Sequence, residues 1–129
     1  MSTAPPAPRV LLVDDNHGFR HELRLLLEDC GIEVVAEGEN GQEAVDLAAR
    51  TDADVVLMDL RMPVMDGLEA ARALRDQAPA LPVIILSAYE DPALKSEAAA
   101  ANAYAYLVKG CSGSLVLDTI EQAFQATRT

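Results

Sequence analysis

Five short apolar runs recur along this chain: Arg9 to Val13, Ile32 to Ala36, Val55 to Met58, Pro82 to Leu86 and Ala105 to Val108. They are continuous and rich in Val, Ile or Leu, the pattern of strands buried on both faces in a parallel sheet. The segments between and after them have helical spacing. Phe19, Leu23, Leu26 and Leu27 predict a first helix over 18–29, with Gly31 as its C-cap. Further helices are predicted over 41–50, 67–76, 92–101 and 114–126, the last with Leu115, Leu117, Ile120, Ala123 and Phe124 facing inward. Asp66 and Gly67 read as starting the third helix, and Ala78-Pro79 as ending it, because the residue before a proline avoids the helical region. Each parallel crossover needs a covering helix and is right-handed, so the alternation predicts an α/β, doubly wound, five-stranded parallel sheet, (βα)5.

A chain of 129 residues, half of them apolar, can bury one such core without disulfides. The formal charge of -11, from 21 acidic and 10 basic residues with no basic cluster, argues against direct binding of nucleic acid. Cys30 and Cys111 form no C-x-x-C unit and have no histidine at zinc-ligand spacing, so they read as reduced thiols. Met1 to Pro8 lacks the basic start and apolar run of a signal peptide, and no later stretch is apolar enough to span a bilayer. The expectation is a cytoplasmic protein with no membrane association: a flexible segment over 1–8 and one domain over 9–127.

In a doubly wound sheet ligands sit outside the carboxyl ends of the strands. There the sequence places Asp14 and Asp15 after the first strand, Asp59 after the third, Ser87 after the fourth and Lys109 after the fifth; only the second lacks a reactive or charged side chain. Carboxylates brought together repel one another unless a cation sits among them or a proton is retained. A hard divalent ion suits oxygen ligands, and Mg²⁺ fits better than Ca²⁺ because it keeps several waters and takes one or two carboxylates plus a phosphate oxygen. Lys109 offers a point charge for a phosphoryl oxygen and Ser87 a hydroxyl donor.

Four segments, in order, carry a family resemblance: "RVLLVDDN", "VVLMDLRMPVMDGLEA", "PVIILSAY" and "AYLVKG". Over roughly Arg9 to Ala126 the chain resembles response-regulator receiver domains of two-component signalling. The second segment is the most specific. The resemblance implies a flavodoxin-like strand order, 2-1-3-4-5, and a signalling domain, not an enzyme, that promotes its own phosphorylation and dephosphorylation. By resemblance Asp59 is the phosphoacceptor, taking a phosphoryl group from a histidine kinase. Asp15, Asp59 and the backbone carbonyl of Arg61 ligate Mg²⁺, with Asp14 acting largely through water. Lys109 pairs with the phosphoryl oxygens, which Ser87 and the backbone amide of Ala88 also receive. Tyr106 matches the aromatic switch position, and Arg61 and Tyr89 flank the route of the attacking water. The implied partners are the kinase and an output domain or protein, reached through the fourth helix, fifth strand and fifth helix, about 91–127, with a phosphorylation-dependent homodimer as a further expectation.

Where most of the family has a proline after the lysine, Gly110 stands here. A cis peptide at that bond thus lacks proline's help, and the non-prolyl cis form costs about 2.5 to 4 kcal/mol. The Lys-Gly pair and "DLRMPVMDGLEA" resemble receivers attached to helix-turn-helix transcription regulators, leaving two readings open: a free-standing receiver, or the input half of a longer regulator. Each residue also has a plainer reading. Asp14 and Asp15 could be an N-cap pair, Asp59 a loop acid, Ser87 a strand terminator and Lys109 a solvated cation; their joint placement favours chemistry. Tyr104 competes with Tyr106 for any switch role. His17 and His21 have metal-ligand spacing but no partners, and read as solvated helix residues. A haloacid-dehalogenase-like phosphohydrolase would need Asp-x-Asp after the first strand, which "VDDN" lacks. An unphosphorylated interaction module would have lost a member of the acidic set or the lysine, and all are present.

Overall fold

The structure, a computed structural model, describes residues 7–127, so most of the expected N-terminal segment 1–8 lies outside the described residues. Five strands alternate with five helices: β1 Arg9–Val13, α1 His17–Asp29, β2 Glu33–Gly38, α2 Gly41–Arg50, β3 Val55–Met58, α3 Gly67–Gln77, β4 Val83–Ser87, α4 Pro92–Ala100, β5 Ala105–Val108 and α5 Gly113–Ala126. All pairings are parallel and the sheet order is β2-β1-β3-β4-β5, the doubly wound flavodoxin-like arrangement expected.

Alternate strand residues feed two cores, because successive side chains point to opposite faces. Val10, Leu12, Val34, Val55, Leu57, Ile84, Leu86 and Leu107 pack with α1 and α5, while Leu11, Val13, Val56, Met58, Val83 and Ile85 pack with α2, α3 and α4. The central strands β1, β3 and β4 are buried almost throughout, which is why their sequence signal is continuous. At the edge, β2 starts and ends later than its apolar run. The Ile32 N–H instead closes the end of α1 on the Leu27 carbonyl, and the ladder continues through Glu37 and Gly38, whose pairing no hydropathy pattern announces. Gly31 takes φ +80° just past α1, the left-handed C-cap geometry expected of it.

One helix face differs from expectation. Leu115 is exposed, and α5 buries Val116, Thr119, Ile120, Ala123 and Phe124, a regular three-four spacing. Thr119 tolerates that position because its hydroxyl donates to the Leu115 carbonyl at 2.7 Å. A polar residue in the true stripe and a leucine beside it shift the apparent face by one residue.

Candidate functional site

Main-chain bonds carry the ladder one step past the strands and gather their ends. Asp14 N–H donates to the Gly38 carbonyl at 3.0 Å, Asp59 N–H to Val13 at 2.9 Å, and Lys109 N–H to Ser87 at 2.7 Å. The segment after Asp59 is held as tightly. Gly67 N–H donates to the Leu60 carbonyl at 2.8 Å, and a Cβ at Gly67 would lie 2.3 Å from the Asp59 carbonyl oxygen, so α3 can start this close only with glycine. Asp66 caps the helix as expected, in a reciprocal capping box with Glu69.

The result is a pocket of acids under one lysine. Carboxylate oxygens of Asp14, Asp15 and Asp59 lie within 4.8 Å of one another; Asp14 and Asp59 are buried and Asp15 is exposed. Lys109 Nζ stands 2.8 Å from Asp14 Oδ2 and 3.5 Å from Asp59 Oδ2, and 4.4 Å from the centre of the Phe19 ring. Asn16 N–H donates to the other Asp14 oxygen and Leu60 N–H to Asp59 Oδ1, both at 2.8 Å. Burial, then the charge of Asp14, push the Asp59 carboxyl up to about 6, against the opposing pull of Lys109 and the Leu60 N–H. Burial works against the Lys109 charge, but the hydrogen bond and charge of Asp14, with Asp59 beyond, hold its pKa above the ordinary lysine value.

This donor set fits Mg²⁺. It offers oxygen alone, from a buried pair and an exposed acid open to solvent, and it carries more negative charge than one lysine neutralises. The raised Asp59 reflects its burial first and the charge of Asp14 second, and a cation beside it would favour its ionised form.

Ser87 is fully buried at the end of β4, and its hydroxyl accepts the Tyr89 N–H at 3.1 Å. Ala88 follows it on the exposed loop. The hydroxyl of half-buried Tyr106 donates to the Tyr89 carbonyl at 2.5 Å, whereas Tyr104 is exposed. The Arg61 guanidinium sits 5.5 Å from the centre of the Tyr89 ring, so the loops after β3 and β4 touch. The described residues contain no cis peptide, and Gly110, after Lys109, adopts φ +97°. His17 and His21 are exposed; His17 Nδ1 lies 2.9 Å from an Arg20 nitrogen and must be its acceptor.

Two neighbours escaped the sequence reading. Phe19, read only as a core position, is the ring under Lys109. Arg20, charged yet only 5% exposed, donates to the Asp14 carbonyl. Its signal was present: Arg20 stands three and seven residues before Leu23 and Leu27, on the inward stripe of α1.

A doubly wound parallel sheet with acids and a lysine converging at its strand ends defines a receiver-type α/β signalling domain. The chain belongs to the response regulator receiver domain family, whose profile matches residues 10–121. It is 39% identical over 120 residues to the transcriptional regulatory protein PdtaR of Mycobacterium tuberculosis, covering 93% of this chain and 58% of that protein. It is 37% identical over 120 residues to the response regulator UvrY of Escherichia coli, covering 92% and 55%. It thus spans a little over half the length of these relatives. Among solved structures, a LuxR-family two-component response regulator from Aurantimonas superposes with TM-score 0.89 at 32% identity, covering 94% of this chain and 87% of that one. The receiver domain of the putative regulator NarL from Mycobacterium tuberculosis superposes at 0.85 with 30% identity, covering 96% and 98%. No helix among the described residues is long and apolar enough to cross a membrane.

Proposed function

We propose that this receiver domain, over 9–127, is switched by phosphorylation of Asp59 in the presence of Mg²⁺, with a histidine kinase as donor. The observation that carries the reading is the convergence of Asp14, Asp15, Asp59 and Lys109 in one pocket at the strand ends. Asp15, Asp59 and the Arg61 carbonyl would hold the ion, with Asp14 acting largely through water; when bound, it neutralises charge on the phosphoryl oxygens.

With a pKa of about 6, Asp59 is mainly a carboxylate at neutral pH and can attack phosphorus. One Asp59 oxygen forms the new P–O bond as the P–N bond to the kinase histidine breaks, and the electron pair leaves with the imidazole. In-line positioning and charge neutralisation are the main demands of so loose a transition state, and Lys109 meets part of the second. Ser87 and the Ala88 amide then donate to the phosphoryl oxygens, which requires Ser87 to reorient relative to its present bond from Tyr89. Roughly 1.5 to 2 added negative charges favour that arrangement, and Tyr106, bonded to the same loop at Tyr89, is positioned to follow it. Arg61 and Tyr89 flank the path of the water that hydrolyses the acyl phosphate, so the domain promotes its own dephosphorylation as well as its phosphorylation.

The output face is α4-β5-α5, where exposed Tyr104 and Leu115 could pair two phosphorylated copies or engage an output domain. Its transcriptional role rests on relatives such as PdtaR. A net charge of -11 argues against direct contact with nucleic acid, and the free Cys30 and Cys111 suit a reducing cytoplasm.

Incubating the chain with a small-molecule phosphodonor, with and without Mg²⁺, and recording intact masses tests the reading. A single phosphoryl adduct that needs Mg²⁺ and disappears in Asp59→Asn is expected. An adduct that persists in the variant would move the acceptor elsewhere, and no adduct under any condition would leave a receiver fold without this switch.

A further inference from the structure

Arg20 is the strongest feature that the proposed chemistry leaves unused. Its guanidinium is almost wholly buried, and every arm is engaged. Nη1 donates to the Asp14 carbonyl at 2.5 Å, Nε to Glu37 Oε1 at 2.9 Å, and Nη2 to His17 Nδ1 at 2.9 Å, with Glu39 3.8 Å away. Glu37 also accepts from Arg24, which in turn reaches Glu28. Burial pushes the Glu37 carboxyl up, but bonds from Arg24 and Arg20 outweigh it and hold the acid below its ordinary range.

Burying a charge this deeply rarely stabilises a fold more than an apolar side chain of similar volume would. What the charge does here is geometric. Asp14 is tied at its N–H by Gly38, at one carboxylate oxygen by the Asn16 N–H and at the other by Lys109. Arg20 supplies the remaining tie, to the carbonyl of the Asp14–Asp15 peptide, and so sets the plane from which exposed Asp15 projects. The planar fork of arginine, which does not lose its proton, can hold this carbonyl and Glu37 at once; a lysine cannot match that geometry. Glu37 and Glu39 neutralise the guanidinium, so the brace adds little positive field against an incoming cation.

We infer that Arg20 is a positioning residue for the acidic pocket: anchored by Glu37 of β2, it fixes the Asp14–Asp15 peptide and so orients Asp15 toward the cation. The second strand thereby contributes to the site without a side chain in it. This inference rests on the Mg²⁺ reading above.

The test is calorimetric titration of the full chain with Mg²⁺ alone, for wild type, Arg20→Gln and Arg20→Lys. Thermal unfolding in chelator and amide NMR spectra accompany it. Outer contacts that orient a metal ligand are worth about 10- to 100-fold in metal affinity. Arg20→Gln should therefore weaken Mg²⁺ binding by about tenfold, with shifts at Asp15 and Asn16, and Arg20→Lys should fall between it and wild type. A purely structural role would lower the unfolding temperature and leave Mg²⁺ affinity unchanged, and that result overturns the inference. Should Arg20→Gln not fold, the lysine variant decides: weaker binding in a folded protein supports the brace, and wild-type affinity overturns it. Absence of Mg²⁺ binding in the wild type itself would instead overturn the reading beneath it, and the brace with it.

Discussion

The two halves of the strand-end surface are built differently. On the side of β1 and β3, Asp14 and Asp59 are buried and tied by main-chain bonds, and α3 is seated on glycine against the Asp59 carbonyl, with Gly67, Leu68, Ala70, Ala71 and Leu74 buried. On the side of β4 and β5, the loop after Ser87 is exposed at Ala88 and Tyr89, and α4 buries only Ala98. The first half holds reacting groups in place, where displacement is costly. The second is held by a few separable contacts, among them Tyr106 to Tyr89 and Arg61 to Tyr89. Elements that move in a switch come from the less stable end of a fold, because the free energy of one added group must suffice to shift them. The asymmetry suits a domain whose chemistry stays fixed while its output face changes.

The largest effect that separates the halves is a cavity. Leu74→Ala, at a fully buried position in α3, should cost about 2 to 5 kcal/mol in urea unfolding. Leu94→Ala, at a half-buried position on the largely exposed α4, should cost less than about 1.5 kcal/mol. Equal losses would break the comparison.

A smaller effect comes from Asp59 in chelator. Its folded pKa of about 6 exceeds the ordinary 3.8, so between these values the folded state holds more proton than the unfolded one. Stability from this group is therefore full below about 4, falls as pH rises to about 6, and is level beyond. Asp59→Asn should remove that fall and stabilise the metal-free domain at pH 7 by about 1 to 3 kcal/mol. Melts of both proteins across that range measure it; parallel curves would show that the fold does not raise the Asp59 pKa.

The smallest change is Tyr106→Phe, which removes one hydrogen bond to the loop, worth about 0.5 to 1.5 kcal/mol. Faster hydrogen exchange should appear in α4 and its preceding loop, with α3 unaffected. Exchange that quickens equally in both helices would show one rigid unit where two are inferred.

The legible elements are those whose apolar run coincides with their pairing or their caps. β1, β3 and β5 fall at the predicted bounds because their apolar runs start and stop with the pairing, and α2 does so between its Asn40 cap and Thr51. β2 is displaced because an edge strand pairs through polar residues that hydropathy ignores, and the α5 stripe is offset because Thr119 counts as polar until its hydroxyl finds a carbonyl. Of the site, Asp14, Asp15, Asp59, Ser87 and Lys109 were readable as strand-end residues. Phe19 and Arg20 were legible only as positions on the inward stripe of α1, since their roles depend on which backbone or charge lies opposite.

Sequence alone determined the α/β class, the family and the chemical groups available at the strand ends, because hydrophobic periodicity and motif order are local properties of the chain. Only tertiary structure decided that Lys109 pairs more closely with Asp14 than with Asp59, that Asp59 is pushed up to about 6, and that Arg20 is held between the Asp14 carbonyl and Glu37. Those facts follow from distances of a few ångströms between residues far apart in the chain, in a medium where burial and neighbouring charges set the energy of every ionised group.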